Sequence, residues 1–166
     1  MTIVWDGLLT EEAGVADILV TEQSEDSDLT AGLTDADLYL DDVQAQSSNF
    51  VLSGSDNVTE GTIIVVNKTG WYNLSYNAFG SYIGGVVPII TQSTFSLINK
   101  DISVEVDNSV TINNFTEIGS GLSCNRIVHL TKGVEYVLRV SGINAVYNLL
   151  LTRLGLSLHL IATALG

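Results

Sequence analysis

Along residues 71–82 apolar and polar side chains alternate with a period of two. Tyr72, Leu74, Tyr76 and Ala78 fall on one face, and Trp71, Asn73, Ser75 and Asn77 on the other, as in a strand whose two faces meet different surroundings. A β-branched run at 62–66 (TIIVV) leads into it through Asn67-Lys68-Thr69-Gly70. The arrangement recurs over 126–142, where Thr131-Lys132-Gly133 separates one apolar run from the next. Each of these stretches reads as a β-hairpin closed by a glycine-containing turn.

Shorter strand patterns lie at 49–53, 94–99, 102–106, 110–118, 147–152 and 156–163. Between them stand Ser53-Gly54-Ser55-Asp56-Asn57, Asn99-Lys100-Asp101 and Gly119-Ser120-Gly121, which are turn material. Gly80, Gly84 and Gly85 interrupt the pattern, and Pro88 places its surroundings in a loop or edge strand. Nine to ten short strands with almost no helical period predict an antiparallel β-sandwich or jelly roll over residues 47–166.

Charge divides the chain at the same place. Twelve of the 19 acidic residues, and none of the six lysines and arginines, fall within residues 1–46. That segment also carries apolar clusters, Ile3-Val4-Trp5, Leu8-Leu9 and 15–20, richer in Trp and aliphatic residues than a disordered tail. It reads as an extended acidic arm, with short strands or a helical turn near 33–40, that attaches to a partner through Ile3, Val4, Trp5, Leu8 and Leu9. The competing reading is a solvated acidic tail. A net charge of −13 argues against a nucleic-acid partner. With 46% hydrophobic residues and a mean hydropathy of +0.33, some apolar surface is expected to be buried between subunits. The longest apolar run, 83–90, is too short for a bilayer-spanning segment, so no membrane insertion is expected. Nor do the opening residues carry the pattern of a secretory signal.

Catalytic chemistry finds little support. His129 and His159 lie inside strand patterns between aliphatic residues, and the single Cys124 excludes an internal disulfide framework. Cys124 follows a Gly-Ser-Gly turn and precedes Arg126, which favours a thiolate, but a packed thiol is the plainer reading. Two histidines and one cysteine do not make a zinc site. Asp26-Ser27-Asp28, Asp35-Ala36-Asp37 and Asp41-Asp42 offer oxygens without the spacing of a calcium loop. No metal, cofactor or enzymatic activity is expected. The four Asn-x-Ser/Thr sequons, at Asn57, Asn67, Asn73 and Asn114, are read as incidental.

The order of these elements resembles the trimeric jelly-roll superfamily of tumour necrosis factor and the complement globular heads. The resemblance rests on 70–76 (GWYNLSY), 94–101 (TFSLINKD), 127–142 (IVHLTKGVEYVLRVSG) and the closing 156–162 (LSLHLIA). Bacteriophage head-fibre and decoration proteins look similar. The resemblance implies a homotrimer, with Trp71, Tyr72, Tyr76, Phe79 and Tyr82 as candidates for a subunit interface or for ligand stacking. Core filling within one subunit is the alternative for half of them. The function expected is that of a non-enzymatic virion protein, a capsid decoration or head fibre anchored by its N-terminal arm on a viral capsid. A carbohydrate- or receptor-binding module is the alternative, with a host-surface glycan as partner and Trp71, Tyr72 or Tyr147 stacking on sugar rings.

Overall fold

The structure, a computed structural model, describes residues 17–30, 33–83, 90–143 and 146–164. In chain order its strands are β1 (Ile18–Glu22), β2 (Ser27–Leu29), β3 (Asp35–Asp37), β4 (Asp42–Gln46), β5 (Phe50–Ser55), β6 (Gly61–Val66) and β7 (Gly70–Ile83). They continue with β8 (Ile90–Asn99), β9 (Val104–Glu105), β10 (Thr111–Thr116), β11 (Ser120–Leu130), β12 (Glu135–Ser141) and β13 (Asn148–Thr163). All of them pair antiparallel, in two sheets. One runs β11-β7-β13-β1-β4 with β2 against β13, and the other runs β10-β8-β12-β6-β5 with β3 against β12 and β9 against β8.

Period-two patterning builds the core between these sheets. From β7 come Tyr72, Leu74, Tyr76, Ala78 and Tyr82, and from β13 Leu149, Leu151, Leu154, Leu156 and Leu158; all are buried. They face Ile64 and Val66 of β6, Phe95 and Leu97 of β8, and Leu138 and Val140 of β12. The inward positions of β13 keep their face only because the register shifts between Leu151 and Arg153. That irregularity restores the alternation after an extra residue, so the two strands expected at 147–152 and 156–163 form one continuous strand.

Three expectations change with the structure. First, neither apparent hairpin is one. β6 and β7 lie in different sheets, as do β11 and β12, so both turns carry the chain across the sandwich. The corners meet at one end, where the Gly133 N–H donates to the Val66 carbonyl (3.0 Å) and the Lys132 N–H to the Thr69 hydroxyl (2.9 Å). Alternation shows which side chains face inward but does not identify the neighbouring strand.

Second, residues 17–46 belong to the sandwich rather than to an arm. β1 pairs with β13 from Ile18↔His159 to Glu22↔Gly155, β4 pairs with β1, and β3 lies on β12. Leu19, Leu29, Ala36, Leu38 and Leu40 enter the core, which is why these acidic strands are ordered. The segment near 33–40 contains a strand and no helix. The proposed anchors Ile3, Val4, Trp5, Leu8 and Leu9 lie outside the described residues.

Third, Asp37, one of the acids of the expected extended arm, does not lie on the surface. It is buried, with Arg139 donating from Nε to Oδ1 and from Nη2 to Oδ2 (3.2 Å), while Lys100 Nζ stands 3.4 Å from Oδ2. Cross-strand pairing of Asp37 with Arg139 holds this geometry.

Candidate association face

On the far side of β11, β7 and β13 from the core, alternation presents a second set of residues. β7 contributes Trp71, Asn73, Ser75, Asn77, Phe79, Ser81 and Ile83, and β11 contributes Ser123, Asn125, Ile127 and His129. β13 adds Gly155, Ser157, His159 and Ile161. Register brings Ser75 beside Asn125 and Ser157, and Asn73 beside Ile127 and His159. The row at Ser75, Asn125 and Ser157 is therefore built of small neutral side chains. Trp71, Ile127 and Ile161 stand at one end, and Phe79 and Ile83 at the other.

No aspartate or glutamate occupies an outward position of these three strands among the described residues, in a chain with 19 acidic residues. Arg153, beside Phe79, is the full charge there. These three strands present apolar side chains and no carboxylate of their own, with Glu22 of β1 bordering them at Gly155, and such a patch is poorly suited to water.

The five aromatics singled out by sequence separate on this geometry. Tyr72, Tyr76 and Tyr82 are core residues, a correction to their reading as interface or ligand-stacking groups. Their hydroxyls are used internally: Tyr72 donates to the Lys68 carbonyl (2.6 Å) and Tyr76 to the Ser109 carbonyl (2.6 Å), while Tyr82 bonds Ser93 Oγ (3.2 Å). Trp71 and Phe79 point outward, 50% and 43% exposed. The Phe79 ring lies over Gly119 and Gly121, where an added Cβ would come within 2.9 Å and 3.1 Å of ring atoms, so the glycines admit the ring. Trp71 meets His129 edge-to-face at 5.0 Å. Tyr147 is half-buried against the core.

The sequence reading did not assign Ile127, Ser157 and Ile161 to this surface. Each shows the required outward phase, but the pairing that joins the strands links residues up to about ninety positions apart. His129 and His159, first weighed as catalytic, are both exposed on this face. Cys124 is buried among core residues.

Elsewhere, residues 23–29, 37–39, Asp41, Asp56 and Val58 line an acidic cleft of about 390 Å³. No group of three His, Cys, Asp or Glu side chains among the described residues is placed to hold a metal ion. Ser24 donates to Asp41 from both its backbone N–H (2.9 Å) and its hydroxyl, and the hydroxyl bond above all holds the Asp41 carboxyl below the ordinary aspartate range. A depressed folded pKa contributes stability that is present above the unfolded value and lost as pH falls through the folded one. Ser24→Ala is accordingly expected to reduce the difference in stability between neutral pH and pH values below about 4, in urea melts across that range. Identical pH profiles for the two proteins would contradict this.

No protein-family model and no curated protein matches the sequence. Solved structures do. The globular domain of zebrafish complement 1qA protein superposes with a TM-score of 0.53 at 11% identity, covering 90% of this chain and 100% of that one. Murine APRIL at pH 8.5 gives 0.51 at 11% identity over 87% of this chain and 99% of its own. A second murine APRIL structure, at pH 8.0, gives 0.50 at 14% identity. The fold is thus the jelly roll of tumour necrosis factor and the complement globular heads, as the order of strand signatures implied.

Proposed function

We propose that this chain is a non-enzymatic assembly protein that associates as a homotrimer through the outward face of β11, β7 and β13. In this reading the residues ahead of Asp17 attach the trimer to a larger particle, a virion capsid as a decoration or head-fibre protein. The observation that carries it is the carboxylate-free face with Trp71, Phe79, Ile83, Ile127 and Ile161, in a chain of net charge −13. A face with so few charges gains by excluding water against copies of itself. Attachment through three copies of Ile3, Val4, Trp5, Leu8 and Leu9 would gain by avidity, with no single copy needing to bind tightly.

Light scattering on the full chain tests the association. The expected mass is about three times the 17.7 kDa of one chain. Asn77→Arg, which places a charge on an exposed outward position of the face without touching the core, is expected to yield monomers that unfold cooperatively. A wild-type monomer at every concentration measured would sink the proposal, as would an unchanged mass for Asn77→Arg.

A further inference from the structure

A groove of about 480 Å³ lies where the β11 strand edge meets the segment joining β8 to β10. Trp71 of β7 and Ile127 and His129 of β11 line it, together with Asn99, Glu105 and Asp107 from β8, β9 and the segment after them. Its volume is in the range of ordinary ligand pockets. Trp71 and Ile127 keep about half of their surface exposed here.

The segment joining β8 to β10 is held firmly. Ser103 and Asn108 adopt left-handed backbone angles, φ 55° and 67°, a conformation that costs energy in residues other than glycine and collects at binding sites. Asn108 Nδ2 donates to the Ile127 carbonyl (3.0 Å), which fastens the segment to β11. Behind it the buried Ser109 hydroxyl donates to the Val106 carbonyl (2.7 Å) and accepts from the Leu97 N–H (3.0 Å). Such a segment is pre-organised, so little ordering entropy is lost when a ligand enters.

We propose that this groove binds a neutral saccharide. Trp71 would offer its indole to the C–H face of a pyranose ring, while Glu105, Asp107 and Asn99 accept hydrogen bonds from the hydroxyls around its rim. A sugar ring is amphipathic in this sense, and an aromatic plate bordered by acceptors is complementary to it. Anionic ligands are disfavoured, because the two carboxylates face no lysine or arginine among the groove's described residues. A compact cation is a poorer fit, since a single indole does not enclose it as an aromatic cage does. The groove shares Trp71 and Ile127 with one end of the association face, so a trimer must leave that end open for the saccharide to enter, and the mass of the titrated samples separates the two readings.

The experiment uses the full chain with Trp5→Phe, which leaves Trp71 as its one tryptophan. It is titrated with a panel of neutral tetrasaccharides built of glucose, galactose, mannose or N-acetylglucosamine. Binding is read by indole fluorescence and by saturation-transfer NMR, and mass by light scattering on the same samples. At least one member of the panel should give a saturable fluorescence change with transfer to ring C–H protons. Asp107→Ala, at an exposed position, should weaken it at least about tenfold, and Trp71→Ala should abolish it. Absence of saturation transfer from the whole panel would overturn the proposal. So would binding that survives both substitutions, or displacement of the saccharide by tetramethylammonium. A monomeric mass with saccharide binding retained would count against the trimer alone.

Discussion

Asp37→Ala is expected to lower the free energy of unfolding by about 3–5 kcal/mol, the range for removing one member of a buried ion pair. The Asp37 side chain is 2% exposed and is held by the Arg139 guanidinium in a two-point contact, with Lys100 close by. Removing the carboxylate leaves two cations, only about a fifth exposed, without their partner. The hydrogen bond to Asp37 raises the Arg139 pKa above its already high ordinary value, ahead of the opposing effect of burial. Stability arising from a raised pKa is present below the unfolded value and lost only as pH rises through the folded one. Both values lie above the working range, so titration of Arg139 itself removes none of this stability up to mildly alkaline pH. Arg139→Lys should recover little, because an ammonium cannot reproduce the two-point contact. Replacing both partners together with apolar residues should cost less than either single removal. Urea midpoints at unchanged slope measure all of these, and an Asp37→Ala loss below about 1 kcal/mol would show that the pair behaves as a surface ion pair.

The second large effect is expected at Tyr76. Truncation to Ala should cost about 3–5 kcal/mol, as for other large aromatic side chains in a core. Tyr76→Phe separates the hydroxyl's share. That hydroxyl donates to the Ser109 carbonyl (2.6 Å), with the Phe95 carbonyl 3.1 Å away, so it ties the β7 sheet to the β8–β10 connection. Its loss should cost about 1–3 kcal/mol, the penalty for leaving a buried polar group unsatisfied. Burial, the largest cause, raises the phenol pKa. The corresponding stability is complete below the ordinary tyrosine value near pH 10 and is lost as pH rises further, because the unfolded chain ionises first. Tyr76→Phe should therefore flatten the alkaline limb of the stability curve as well as lower it. Equal alkaline slopes in the two proteins would place the hydroxyl in water.

Much of the local structure was legible because strand formation and facing depend on neighbours in sequence. The alternation from Trp71 to Ala78 separates core from exterior in the folded chain as it does on paper. Turn chemistry at Gly133, with φ +80°, falls where the chain reverses. The acidic strands were harder to read. Residues 35–38 alternate Asp with Ala and Leu over too few positions to distinguish a docked strand from an arm, and the Arg139 that neutralises Asp37 lies 102 residues away. The two apparent hairpins show the same limit. A glycine turn between two apolar runs suits a reversal within one sheet or a corner between two, and the choice depends on which distant strands fill the remaining edges.

The sequence by itself determined an all-β antiparallel chain, the inward phase of its strands and, through the order of its strand signatures, the jelly roll, because each rests on period-two patterning and turn residues that act locally. Only the tertiary structure decided which aromatics are core and which are surface, where Asp37 finds its cations, and that β11, β7 and β13 join into one face without carboxylates. Each of these depends on pairing across long stretches of chain, and the free energy of pairing resides in side-chain packing between sheets rather than in any single segment.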